Sequence, residues 1–431
     1  MPRALLVSYF FPPAASVGGV RAHGLARYLP RHGWDVAVLT PSAEGRDAGP
    51  LAIIETGDRP ALAGLKRRLG GEQAALRDLL GVTRSSGAPA RRLAAWSIAQ
   101  AKAATAFPDP RRGWIAPALA SARAWLAHEH VDAIVSTSPP PTAHVIASRL
   151  AREFGLPWVA DFRDLWADYH NADTPAWRRA VDRRLERRTL RGARALVTVS
   201  APLAATLAAH YPGVPVRTIL NGFDPAEWQG QVALTPEFTL THTGTLYQGR
   251  RDPTPVFAAL AELVGERAVD RGRVRVRLFS RNEDWLRPVV AAQGLQDVVE
   301  VRDWAPRAEA IAAQRESQVL LLFHLAGPDA AGDYTGKIFE YLAARRPILV
   351  AGGEPGVLGE LVRKTGAGVH ARGVAEIKAA LRGFWDAYAR SGEVPYTGRA
   401  DFVARYSHDR MAAEFAALLD EARGQPRPPS P

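Results

Sequence analysis

Short apolar runs separated by helical stretches recur along most of this chain, and no other feature constrains its fold as strongly. In the first half, Ala4–Phe10, Asp35–Leu39, Ala133–Ser136, Trp158–Asp161 and Leu196–Ser200 read as strands, with helical stretches such as Arg21–Arg31 and Thr142–Phe154 between them. In the second half the runs are Thr239–Thr243, Val274–Phe279, Val298–Val301, Val319–Phe323, Ile348–Ala351 and Gly368–His370, each followed by a helical stretch. A strand that is apolar on both sides needs cover on both sides, and parallel neighbours need long crossovers. The pattern therefore predicts an α/β chain with parallel sheets and helices on both faces. The two series part near residues 212–236, where Pro212, Gly213, Pro215, Asn221-Gly222, Pro225 and Pro236 read as a linker. Two doubly wound, Rossmann-like domains facing a central cleft are expected, because open parallel sheets take ligands beyond the carboxyl ends of their strands. The predicted boundaries are 1–215, with a basic helical insertion at about 41–115, then 216–405, a C-terminal helix over 406–424 and a disordered Pro-rich tail over 425–431.

Composition narrows the function. The chain has 431 residues and no cysteine. That excludes disulfides, thiolate zinc sites, iron–sulfur clusters and a cysteine nucleophile. No apolar run approaches the roughly 18 residues that span a bilayer. The run from Ala4 to Phe10 follows only Arg3 and meets Phe11-Pro12-Pro13 at once, which marks a buried strand rather than a signal core. Residues 1–215 hold 28 Lys and Arg against 17 Asp and Glu, whereas residues 216–431 hold 27 against 27. The basic excess, and any polyanion partner it serves, therefore belongs to the first half.

Two segments carry that excess. Residues 60–120 hold ten basic and three acidic residues, with Leu62, Leu65, Leu69, Leu76, Leu79 and Leu80 at helical spacing. Residues 176–191 set Trp177, Val181 and Leu185 in a stripe among Arg178, Arg179, Arg183, Arg184, Arg187 and Arg188. Such helices suit an anionic membrane surface; equally, they suit a solvated basic face whose stripe packs on its own domain.

Four segments carry chemistry. Pro12-Pro13 leads through Gly18-Gly19 to a helix, where the backbone can approach a ligand and the helix start favours an anion. It is neither Gly-x-Gly-x-x-Gly nor a Walker loop. Asp161-Phe162-Arg163-Asp164 ends a strand with two carboxylates and an arginine, charges that need partners or a use there. His242-Thr243-Gly244-Thr245 is a glycine turn with Arg250 and Arg251 beyond it, and guanidinium forks match phosphate oxygens. Thr335-Gly336-Lys337 opens a helix able to receive a diphosphate, and Glu340 lies one turn further, placed to accept from vicinal hydroxyls such as those of ribose. His128 and His130 form a close pair before a strand and read as surface rather than metal ligands.

In this order, and together with Ser136-Thr137-Ser138-Pro139-Pro140 and Asn221-Gly222-Phe223-Asp224, these segments resemble the nucleotide-sugar-dependent glycosyltransferases of family 4, which have the GT-B architecture. The resemblance covers nearly the whole chain. It implies a donor held mainly by the C-terminal domain and an acceptor held by the N-terminal one. It implies further that Gly18 and Gly19 admit the donor, that Gly244, Arg251, Ser280, Arg281, Thr335, Gly336 and Lys337 surround its diphosphate and sugar, and that Glu340 binds ribose as the second Glu of a Glu-x7-Glu motif. Gly332 stands where that motif has its first Glu, with Asp333 beside it. Asp161, Arg163 and Asp164 fall near the reacting sugar, and Arg163 stands where many members place a histidine.

The activity so implied is transfer of a hexosyl or N-acetylhexosaminyl group to a glycan or polyprenyl-diphosphate-linked acceptor, with retention, in cell-surface polysaccharide or glycoconjugate synthesis. No cofactor and no metal are expected, since no Asp-x-Asp is present. The expected place is the cytoplasm, peripheral on the inner face of the plasma membrane, with no nucleic-acid partner. A GT-B nucleotide-sugar epimerase and a non-catalytic polyanion binder are the competing readings.

Overall fold

The computed structural model describes residues 1–13, 17–46, 49–58, 107–168, 174–246, 248–281, 284–325, 332 and 334–424. Most of the expected insertion with its leucine repeat, Asp333 and the tail at 425–431 lie outside the described residues. The chain divides into two units, Met1–Ile219 with Ala412–Pro431, and Leu220–Met411.

The first unit is built on seven parallel strands: β1 (Arg3–Ser8), β2 (Asp35–Pro41), β3 (Ala52–Thr56), β4 (Ala133–Ser138), β5 (Trp158–Phe162), β6 (Ala195–Thr198) and β7 (Val216–Thr218). Their order is β3-β2-β1-β4-β5-β6-β7. The described helices are α1 (Val17–Tyr28), α2 (Ile115–Leu126), α3 (Thr142–Phe154), α4 (Ala176–Leu190) and α5 (Ala201–His210). The winding reverses between β1 and β4, which pair Leu6 with Val135 and Val7 with Ser136. In an open sheet that reversal leaves a crevice at the strands' carboxyl ends.

The second unit repeats the plan with six parallel strands: β8 (Phe238–Thr243), β9 (Val274–Phe279), β10 (Val299–Arg302), β11 (Val319–Phe323), β12 (Ile348–Ala351) and β13 (Gly368–Ala371). Their order is β10-β9-β8-β11-β12-β13, so the reversal falls between β8 and β11. Helices α6 (Thr254–Gly265), α7 (Leu286–Ala292), α8 (Arg307–Glu316), α9 (Lys337–Ala344), α10 (Val357–Thr365), α11 (Val374–Ser391), α12 (Ala400–Ala404) and α13 (His408–Gly424) follow.

The apolar strands are covered on both faces, as their composition requires. On β11, Val319, Leu321 and Phe323 pack with Phe257, Leu260 and Leu381, while Leu320 and Leu322 point the other way onto Ile338, Phe339 and Leu342. Each such leucine contributes about 1.5–3 kcal/mol by leaving water.

Three details differ from the sequence reading. Helix α1 starts at Val17, so Gly18 and Gly19 lie in its first turn rather than before it. A Cβ on Gly19 would sit 3.4 Å from the carbonyl carbon and oxygen of Phe10, and this close approach explains the glycine. The α-helix stops at Tyr28 because Pro30 follows, and a 3-10 turn, Leu29–His32, carries the chain to Gly33. Finally, β7 occupies part of the stretch read as linker, and the last helix joins the first unit from Ala412 onward, where Phe415, Leu419 and Ala422 are buried and Trp34 Nε1 donates to Asp420.

Candidate functional site

In the second unit the site grows from the ends of β8 and α8 and the start of α9. Strand β8 closes on Thr243-Gly244. Gly244 has φ +140, which disfavours side chains, and a Cβ there would touch Lys337 Cε at 3.4 Å. The stem of Lys337 thus lies on the turn. Gly336 sits at the cap position of α9 and no side chain caps that end, so its first amides and the helix dipole face outward, positive.

Glu340, in the first turn, is the centre of the polar contacts. Its Oε2 accepts from Lys337 Nζ at 2.9 Å and from Gln314 Nε2 at 3.2 Å. Its Oε1 accepts from Arg307 Nη1 at 3.1 Å. Arg307 also donates from Nε to Glu227 at 2.8 Å, and Gln314 Nε2 to Thr243 Oγ1 at 2.8 Å. The Thr243 amide donates to the Tyr341 hydroxyl. Burial opposes ionisation of Glu340, but the charges of Lys337 and Arg307 and the bonds from Lys337 and Gln314 outweigh it and hold the carboxyl below its ordinary value.

Of the other residues singled out from sequence, Thr335 offers its carbonyl to the Ile338 amide, within the turn that opens α9. Arg251 is half-buried, and its charge, with that of Lys337, acts on His242. Ser280 is buried and its amide donates to the Arg302 carbonyl. Arg281 is exposed, its guanidinium 4.6 Å over the Trp304 ring. Sequence reasoning missed Arg307, Gln314 and Glu227. No spacing marks them, since Gln314 and Arg307 precede Glu340 by 26 and 33 residues on another helix.

In the first unit the carboxyl ends of β4 and β5 are closed in on themselves. Asp161 is fully buried, and both its oxygens are engaged: Arg21 Nε at 2.9 Å, Arg21 Nη2 at 2.9 Å and Thr137 Oγ1 at 2.8 Å. Arg21, from α1, also donates to the Ile219 carbonyl at 2.9 Å. Arg163 donates from Nε to the Ser138 carbonyl at 2.9 Å and from Nη2 to the Pro139 carbonyl at 2.7 Å. Asp164, half-buried, acts on it electrostatically. Asp161 thus ties β5 to α1, and Arg163 ties the end of β5 to the Ser138–Pro140 turn.

Beneath them lies a residue the sequence did not single out. Trp158 Nε1 donates to Ser136 Oγ at 2.7 Å, Ser136 pairs with His144 Nδ1 at 2.8 Å, and His144 Nε2 pairs with Ser138 Oγ at 2.8 Å. Each hydroxyl can donate to the ring or accept from it, so either neutral tautomer of His144 satisfies both nitrogens. Burial keeps this imidazole neutral, with its pKa lowered to about 3.

Helix α4 turns Trp177 and Val181 of its expected stripe outward, while Leu185 is half-buried against the core of the first unit. Trp177 and Val181 are 46% and 43% exposed, whereas Arg178, Asp182, Glu186 and Thr189 are buried. Polar pairing makes this possible: Arg178 Nε donates to Asp182 at 2.7 Å and Nη2 to the Pro108 carbonyl, while Glu186 accepts from the Ala167 amide. Burial pushes the Glu186 carboxyl up to about 7. Ala180, Arg183, Arg184, Arg187, Arg188 and Arg191 line a shallow depression beside the exposed apolar pair.

Two open parallel sheets, each with its polar side chains gathered at the carboxyl ends, define the GT-B class of glycosyltransferase folds. Residues 18–222 match the family model of the glycosyl transferase 4-like domain. Sucrose-phosphate synthase from Thermosynechococcus elongatus is similar in structure, at TM-score 0.63 and 15% identity over 98% of this chain and 99% of that one. So are Anabaena HepE in complex with UDP-glucose (0.60, 13%, 98% and 100%) and a glycosyltransferase from Rickettsia africae (0.58, 12%, 99% and 99%). No curated protein sequence matches the chain.

Proposed function

We propose that the protein transfers a glycosyl group, hexosyl or N-acetylhexosaminyl, from a nucleotide-diphosphate sugar to a hydroxyl of a glycan acceptor with retention. The observation that carries this reading is the cluster at the start of α9, where Lys337, Arg307 and Gln314 converge on Glu340 beside the Gly244 turn. HepE, which shares the fold, is described with UDP and with UDP-glucose.

In this reading the diphosphate lies against Lys337, Arg251 and the amides opening α9, and Glu340 takes the ribose hydroxyls. The bond from the anomeric carbon to the diphosphate oxygen breaks, the acceptor hydroxyl oxygen forms the new bond on the same face, and its proton passes to the departing diphosphate oxygen. Fixed positive charge at the leaving oxygen, set in place before the reaction, lowers the barrier. These cations take the role a divalent metal would otherwise play. The first unit receives the acceptor, with Asp161, Arg163 and His144 as positioning residues for its strand ends.

The acceptor is lipid-linked, and the first unit rests on anionic lipid through α4, in the synthesis of a cell-surface glycan on the cytoplasmic side. The exposed Trp177 and Val181 among arginines support this. Among the described residues no helix is long and apolar enough to cross a membrane.

Calorimetric titration with UDP, GDP and their sugar conjugates, without added metal, tests the donor site, with Glu340→Ala alongside. Selective binding of one nucleotide that weakens in the variant is expected. A folded protein that binds none of them would remove the reading.

A further inference from the structure

His242, near the end of β8, is buried, and its ring faces two hydrogen-bond acceptors. Nδ1 lies 2.9 Å from the Leu321 carbonyl of β11, and Nε2 lies 3.0 Å from the Gly244 carbonyl in the glycine turn. A neutral imidazole has one N–H and one lone pair. Carbonyl oxygens only accept. In the neutral ring one of these contacts therefore sets a lone pair against a lone pair, and only the imidazolium satisfies both.

The surroundings of the ring oppose that charge. Burial, with Arg251 and Lys337 near, lowers the ring's pKa to about 4, although both carbonyls favour the proton. The Phe323 ring packs on it at 5.0 Å. Two cations act on His242, one ahead of α6 and one at the start of α9, and Glu340 accepts from the second. An anion placed between them offsets the share of the opposition that these cations add to burial, and an opposite charge within about 4–6 Å favours the charged form by one to three decades.

We propose that His242 takes up a proton from solvent when the diphosphate of the nucleotide sugar binds, and that the imidazolium then donates from Nδ1 to Leu321 and from Nε2 to Gly244, locking the glycine turn against the anion. This rests on the donor site proposed above. His242 acts here as a positioning residue, touching the turn rather than the substrate. It is also the link between donor binding and pH: affinity tightens as pH falls, by up to about tenfold per pH unit, until the free protein's own ring protonates.

The test is calorimetry of the full chain with UDP-glucose and with GDP-mannose at about pH 6, in MES and in bis-Tris. The diester phosphates of these sugars carry no proton near neutrality, so buffer-dependent heat reports uptake by the protein. Heat that differs between the buffers by proton uptake, and loses that difference in His242→Gln, is expected. In 15N-histidine spectra of the wild-type protein, the ring assigned through its contact with Phe323 gains protons on both nitrogens when the nucleotide sugar is added. Binding with identical heat in both buffers overturns this proposal and leaves the donor site standing. Uptake that persists in His242→Gln assigns the proton to another group, Glu340 first, and also overturns it. Should the variant not fold, the ring-nitrogen signals of the wild-type protein decide. Absence of binding by either sugar overturns the donor site and this proposal together.

Discussion

Asp161, within β5, and Glu340, in the first turn of α9, are both carboxylates held by cations, yet their surroundings differ in exposure. Asp161 has one cation, Arg21, and the pair is buried and neutral. Glu340 has two cations, Lys337 and Arg307, the second shared with Glu227. The Glu340 and Lys337 side chains are 16% and 26% exposed, at a helix start that no side chain caps. A neutral, enclosed pair stiffens a scaffold; a charged cluster at a helix start that solvent reaches is a place for an anion. Exposure rather than residue type separates the two.

The contrast breaks most visibly at Asp161. Asp161→Asn strands the buried Arg21 charge, and a loss of about 3–5 kcal/mol is expected in urea unfolding. Unchanged stability with lost activity would make Asp161 a substrate contact and erase the difference between the two sites. Lys337→Ala comes next. Losing hydrogen bonds between charged groups there costs about 1.5–3 kcal/mol of nucleotide-sugar affinity, seen by calorimetry. Equal loss of folding stability would show that the cluster is scaffold after all.

A smaller effect concerns pH. Burial holds His144 neutral, its pKa at about 3 against an ordinary 6.5, so the unfolded chain binds more protons in that window and stability rises with pH across it. Glu186 has the opposite sign. With its pKa raised to about 7 from 4.5, the folded state binds more protons, and stability falls as pH rises through that window, by at most about 1.4 kcal/mol per pH unit. Glu186→Gln should therefore stabilise the protein above pH 7 and leave stability below about pH 4.5 unchanged, as urea midpoints across pH would show. The least change in stability, within about 0.5 kcal/mol, is expected from reversing Arg184, Arg187 and Arg188, which are exposed. The same change should abolish binding to anionic vesicles; retained binding would separate α4 from any membrane role.

Strands that are apolar throughout were legible, and β9, β11 and β12 fall where the composition placed them. The edge strands β3 and β7 were not. Two of the five residues of β3 are exposed, and the three residues of β7, after Pro215, offer no periodicity to read. Lys337 and Glu340 were legible because a helix start places them one turn apart. Arg307, Gln314 and Glu227 were not, because folding alone brings α8 and the 3-10 turn Pro225–Trp228 to α9.

The sequence by itself determined the class of fold, the repeat of its plan and the basic character of the first half, because solvent exclusion and net charge are properties of composition and order. Tertiary structure decided how each charge is used. Asp161 became a buried strut through Arg21, 140 residues away, and Trp177 and Val181 were left outside because Arg178 and Asp182 satisfy each other within. Pairing depends on distance in space, and spacing along a chain carries that only within a helix turn.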